Sequence, residues 1–231
     1  PKLLPSAIFA HRNLLDTLAT TMSENHAFQS EVKTIMDRLD GANAWEVSNC
    51  RGTFRNNHFY IEKLPDYGDY WQLADRSLGH TISGLGVLYA SGIKSDSSRM
   101  NGLREFFHHY LIARQLNDDA HDWEDDLALG HVNAVAVMIV QKWLQKTGRK
   151  LSSGIDLEKN KDTLRVIMWE IVIDDVCSQI NDHLNVARKT LGRPASGLDE
   201  TILLPILTQL ERATKKALSA RDDALEFITS L

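Results

Sequence analysis

Cysteine is almost missing from this chain, proline and glycine are scarce, and no long apolar run occurs. Two cysteines, Cys50 and Cys177, are too few for a disulfide framework, and neither belongs to a CxxC pair. Both read as reduced, buried thiols. Five prolines and 13 glycines in 231 residues are too few for a loop-rich β architecture. Without a run of about eighteen apolar residues, no membrane-spanning helix is expected. The opening Pro1-Lys2-Leu3-Leu4-Pro5 has no signal-peptide core, so the expected location is the cytoplasm. A basic excess is missing too. A net charge of −5 argues against general binding to nucleic acid or anionic membranes. An anionic ligand therefore needs a local group of bases or a metal ion. No GxSxG, Walker-type or GxGxxG element is present.

What remains is ordinary for a globular protein: 43% hydrophobic and 25% charged residues, enough for one good-sized core. The hydrophobic spacing is helical nearly throughout. It predicts helices over 3–23 and 28–39, the second ended by Asp40-Gly41. The stretch 49–69 has turn formers and no sustained period, and reads as a loop. A helix over 70–90 is stopped by Ser91-Gly92. Asp96-Ser97-Ser98 offers an N-cap for a helix running to Leu129-Gly130. Further helices are predicted over 132–146, ended by Thr147-Gly148, over 156–190, and over 199–231, with Pro205 the place for a kink. The fold class is all-α, a single domain over 1–231 of about seven helices packed roughly antiparallel around a cavity, with no strand required.

The segment 110–133, YLIARQLNDDAHDWEDDLALGHVN, carries the most chemistry. On a helix, Gln115, Asp118, Asp119, Asp122 and Asp125 or Asp126 fall on one side at three- and four-residue steps. Carboxylates stacked this way repel by roughly a few tenths of a kcal/mol per pair, and divalent cations relieve that repulsion. Mg²⁺ favours a few carboxylates, retained waters and phosphate oxygens, so such a face suits a magnesium-bound diphosphate. Arg114, one turn before Asp118, is either a salt-bridge partner or a base aimed at the same site. A plain solvated acidic face is the other reading of the pattern. Trp71, Trp123 and Trp169 have core spacing, although Trp123 also suits a pocket wall. His108, His109 and His121 lack zinc spacing. Arg51, Arg55 and His58 form a small basic loop.

Gln115-Leu116-Asn117-Asp118-Asp119-Ala120-His121-Asp122 resembles the second aspartate-rich motif, FQxxDDxxD, of trans-polyprenyl diphosphate synthases. Asp126-Leu127-Ala128-Leu129-Gly130-His131-Val132-Asn133 resembles the DLxxGKxT element that follows it there. Tyr70-Trp71-Gln72-Leu73-Ala74-Asp75-Arg76-Ser77 is similar to their Y…KT helix, with Arg76 in the place of the diphosphate-facing lysine. The same segment also resembles QLxNxxRDxxEDxxxGR of squalene and phytoene synthases, through Gln115-Leu116, Asp122, Asp125-Asp126 and Gly130. Both belong to the isoprenoid synthase superfamily. The resemblance covers 69–133 and otherwise only helical texture. A first aspartate-rich motif is missing, since Asp37-Arg38-Leu39-Asp40 has the wrong spacing. Asp174-Asp175-Val176-Cys177-Ser178-Gln179-Ile180-Asn181-Asp182 is similar to the (N/D)Dxx(S/T)xxxE motif of class I terpene cyclases. A polar outward face on an amphipathic helix, with Ile171, Val172 and Ile180 inward, is the favoured explanation of that pattern.

The resemblance implies an isoprenoid-synthase bundle around a central cavity and ionisation of an allylic prenyl diphosphate, for prenyl transfer or cyclisation. Asp118, Asp119, Asp122 and Asp126 would hold Mg²⁺, with Mn²⁺ as a substitute. Arg76, Arg114, Gln115 and His131 would face the diphosphate, and Asp174, Ser178 and Asp182 form a secondary metal set. The missing first motif implies the C-terminal part of a longer enzyme, or a homodimer, partner chain or domain that supplies it. A non-catalytic subunit or helical binding module of the same fold is the competing reading.

Overall fold

The computed structural model describes residues 22–229 and, ahead of them, Asn13, Asp16, Thr17 and Thr20. The helix expected over 3–23 lies for the most part outside the described residues.

Helix α1 (His26–Asn49) starts where the Asn25 side chain accepts from the Phe28 amide at 3.0 Å. It runs straight through Asp40-Gly41, where the sequence predicts a stop. An interior glycine costs about 1 kcal/mol relative to alanine. The buried positions Phe28, Ile35, Ala42 and Glu46 nevertheless continue across it at helical spacing, and their packing outweighs that penalty. The expected loop over 49–69 contains a hairpin, β1 (Thr53–Arg55) and β2 (His58–Tyr60), in the register Thr53↔Tyr60, Phe54↔Phe59 and Arg55↔His58. Its tip, Asn56-Asn57, takes left-handed φ values of 49° and 62°, which asparagine tolerates better than most residues. The expectation of no strands therefore fails at this one element. Phe59 exchanges two backbone hydrogen bonds with Ile155, both 2.8 Å, which pin the hairpin to the body.

The single helix predicted over 70–90 is broken into α2 (Trp71–Arg76), a tight turn Leu78–Thr81, and α3 (Ile82–Ala90). Ser77 and Gly79 are weak helix formers at the break. Helix α4 (Ser98–Ala128) is the spine of the molecule. The Ser97 side chain caps it by accepting from the Met100 amide, as the sequence suggests. Helix α5 (Ala134–Thr147) ends at Gly148, whose φ of +65° suits glycine at that cap. Helix α6 (Leu157–Ile167) passes through one π turn (Met168–Val172) into α7 (Ile173–Leu191), and α8 (Glu200–Thr229) follows. The all-α class holds apart from the hairpin.

Helices α4 and α7 lie antiparallel. Glu105 pairs with Arg193, His109 meets His183 at 2.8 Å, and Glu124 pairs with Arg165 through the α6 end of the same rod. The main core, including Phe106, Ile112, Leu116, Ile139, Trp143 and Val176, fills the space between α4, α5 and α7. A second core of Phe28, Ile35, Leu78, Ile82, Leu85 and Leu103 joins α1 and α3 to the start of α4. Between these elements lies a half-open cavity of about 280 Å³ walled by Ile35, Leu78, Leu85, Trp71 and His108. Among the described residues, no helix is long and apolar enough to cross a membrane.

Candidate metal and diphosphate site

The acidic segment lies on the C-terminal half of α4, and burial divides it in two. Asp118 is half exposed and Asp122 is exposed, one helical turn apart. Arg114 reaches Asp118 at 3.6 Å and also approaches His80 of the turn after α2. Asp119, between them in sequence, points inward and is only 3% exposed. Its Oδ2 accepts from the Ala134 amide at 3.0 Å, and its Oδ1 accepts from Gln115 Nε2 at 3.0 Å. Asp119 therefore holds down the first turn of α5, with its charge near the positive end of that helix. Burial dominates its ionisation and pushes the carboxyl up to about 6, against the lowering effects of Gln115, Ala134 and Arg76.

The chain folds back onto α4 through 130–133. Gly130 makes the turn with φ +80°, and a Cβ there would lie 3.1 Å from the Gly52 carbonyl oxygen. The Gly52 amide donates to Gly130 and the Val132 amide donates to Cys50, so the base of the hairpin is stitched to this turn. Asn133, fully buried, caps α5 by accepting from the Ala136 amide at 2.8 Å. Its Nδ2 donates to Asp126 Oδ2 at 2.8 Å and to the Asp119 carbonyl at 3.2 Å. His131 is buried between two carboxylates, its Nδ1 3.2 Å from Asp126 and its Nε2 3.3 Å from Glu46. Glu46 also meets Arg76 at 2.5 Å and Arg51 at 3.7 Å. Tyr67 completes this floor: its hydroxyl donates to the Val132 carbonyl at 3.0 Å and lies 3.3 Å from Cys50 Sγ. Burial drives the Tyr67 phenol upward and lifts the Cys50 thiol to about 11, so neither ionises near neutrality.

The structure thus brings Gln115, Asp119, Asp126, His131 and Arg76 into one buried network, while Asp118, Asp122 and Arg114 stay on the open surface of the same helix. Asp126 and His131 face each other and protein partners inside it. Asp174, Ser178 and Asp182 lie elsewhere, on the exposed side of α7 away from its buried stripe of Ile173, Val176, Cys177, Ile180 and Leu184, and Arg221 pairs with Asp174. Among the described residues, no three His, Cys, Asp or Glu side chains converge so as to hold a metal ion by themselves. Glu46 is the residue that sequence reasoning misses. Its signal was present in the buried spacing Ile35, Ala42, Glu46, but it lies beyond the stop predicted at Gly41.

A second polar cluster joins α4 to α7. His109 and His183 share a hydrogen bond through their Nδ1 atoms, and His108 packs on the half-exposed Trp71 with ring centroids 4.7 Å apart. Burial lowers all three imidazoles, His183 to about 4; neighbouring rings lower His108 and His183 further, while Glu105 opposes the fall at His109. The cluster is neutral at physiological pH. Compared with protein-family models, with curated proteins and with solved structures, the chain matches none.

Proposed function

We propose that the open face of α4 is a magnesium–diphosphate site and that the chain serves class I isoprenoid chemistry, the ionisation of an allylic prenyl diphosphate. The observation that carries this reading is the division within the acidic segment. Asp119 is spent on the fold, which fixes the pitch at which Asp118 and Asp122 stand open to solvent one turn apart. The donor set fits the ion. Mg²⁺ is commonly held by one or two carboxylates and completes its shell with water and phosphate oxygens, so the lack of three convergent side chains among the described residues does not oppose it. Asp118 and Asp122 would hold it, and when bound it would neutralise charge developing on the departing diphosphate. Mn²⁺ offers similar chemistry.

The chain's own groups have separable roles. Arg114, already within reach of Asp118, would turn its guanidinium towards phosphate oxygens, a charge-assisted contact stronger than a neutral one. Arg76 sits close enough to Asp119 to lower that carboxyl, so its positive field covers the inner edge of the site. Gln115 and His131 act from below, Gln115 by steadying Asp119 and His131 by bridging Asp126 and Glu46. Shielding of a carbocation from water requires a second wall over this open face. A second copy, a partner chain or a further domain bearing an opposing aspartate set is the natural source.

A second reading, a non-catalytic subunit or binding module of this fold, is favoured by the lack of a recognisable first aspartate-rich motif in the sequence. Pyrophosphate release from geranyl, farnesyl and geranylgeranyl diphosphate separates the two. The enzyme reading predicts release that needs Mg²⁺ and stops with a chelator. Tight Mg²⁺-dependent binding without release from any of the three would leave the non-catalytic module.

A further inference from the structure

The half-open cavity of about 280 Å³ lies between α1, α2, α3 and the first half of α4, and none of its described lining residues belongs to the acidic segment. Ile35, Leu78 and Leu85 give it a buried apolar lining. Trp71 adds an indole that is 50% exposed, packed against His108 and with the Arg38 guanidinium 5.7 Å from its ring centroid. Apolar surface left in water in this way is stabilised when a ligand covers it.

Charge decides what can enter. Each ionised side chain in the described lining already has a counter-ion. Arg38 pairs with Asp75, Arg104 with Glu31, and Glu105 with Arg193. His108 is neutral near pH 7, because burial lowers it. An ion of either sign would lose its water here and meet no unpaired opposite charge. An uncharged molecule meets one free donor group. Arg38 spends Nε and Nη2 on Asp75, and its Nη1 makes no hydrogen bond to the described residues. Arg104 uses all three of its nitrogens, on Glu31, Ser95 and Asn101. Size narrows the choice further. An apolar cavity of about 150 Å³ takes one benzene ring, so this volume suits about two fused rings.

We propose that the cavity binds an uncharged, mostly apolar molecule of about two-ring size, with one carbonyl-type acceptor on Arg38 Nη1 and its body against Trp71, Ile35 and Leu85. This inference and the magnesium–diphosphate reading are independent, and either can fail alone.

Equilibrium dialysis with 2-acetylnaphthalene, 2-naphthoate and 2-naphthylmethylammonium tests it, because the three share a ring system and differ in charge. The ketone is expected to bind the parent with a Kd on the order of 100 µM. Both ions should bind at least about tenfold more weakly. Trp71→Ala removes the half-exposed wall, and Thr34→Trp crowds the cavity from an exposed position on α1. Each is expected to weaken ketone binding by about tenfold. Arg38→Lys keeps a charge for Asp75 but loses the planar fork, and should cost about threefold. No ketone binding by the parent, an ion that binds as tightly as the ketone, or parental affinity in both Trp71→Ala and Thr34→Trp overturns the proposal. Parental affinity in Arg38→Lys overturns the place given to the acceptor. If Trp71→Ala does not fold, Thr34→Trp decides.

Discussion

Asp119→Ala is expected to destabilise the protein by about 2 kcal/mol at neutral pH, because it strands the buried Ala134 amide at the start of α5. Asp119→Asn keeps an acceptor for that amide, and Gln115 has only to turn its amide to answer the new side chain, so its cost is smaller. The two variants also differ in pH dependence. The folded carboxyl titrates at about 6, above its ordinary 3.8, so the folded state binds the proton more tightly. The stability contributed by protonated Asp119 is fully present below about pH 4 and is lost as pH rises through 6. Asn at 119 does not titrate. The stability of the parent relative to Asp119→Asn should therefore fall by about 2–3 kcal/mol between pH 4 and pH 7, since each pKa unit is worth about 1.4 kcal/mol. Urea titrations of both proteins at a series of pH values check this. A gap independent of pH would mean that Asp119 ionises normally in the fold.

Trp143→Ala should be more damaging, at about 3–5 kcal/mol, the range for emptying a buried tryptophan site. The indole is fully buried at the centre of the main core, between α5 and the helices packed on it. It is also imperfectly satisfied. Its Nε1 is buried without a hydrogen-bond partner, while the Arg149 guanidinium lies 5.8 Å from the ring centroid. Trp143→Phe removes that unpaired donor together with some volume, so the two effects oppose each other and the expected loss is less than half that of alanine. Denaturant midpoints should rank parent, Phe, Ala with unchanged slopes. Equal losses for Phe and Ala would show that the cost does not follow the volume removed.

Much of the frame was legible because it depends on local chemistry. Ser97 caps α4 and Gly148 closes α5 where residue type alone places them. The departures came from long-range effects. Gly41 reads as a stop until the buried stripe beyond it is counted, and that miscount hid Glu46. Asn56-Asn57 signals a two-residue hairpin turn only if the short strands beside it find a partner, and Phe59 finds one at Ile155, almost a hundred residues away. The acidic segment was visible as a pattern, but helical spacing treats Asp118, Asp119 and Asp122 alike. What separates them is the return of 130–133 onto α4, which buries Asp119 under Asn133 and Ala134 and leaves its neighbours in solvent. Likewise Asp126 and His131 match a motif by spacing, whereas in the fold His131 lies between Asp126 and Glu46.

The most direct measurement is thermal stability with Mg²⁺ and a non-hydrolysable farnesyl diphosphate analogue, for the parent and for Asp118→Asn/Asp122→Asn. A ligand that binds only the folded state raises the melting temperature. Both replaced side chains are exposed, so the unliganded variant should melt close to the parent. The account predicts a rise in the parent that needs Mg²⁺ and the analogue together and disappears in the double variant. An equal rise in parent and variant, or none in the parent, would contradict a diphosphate site on α4.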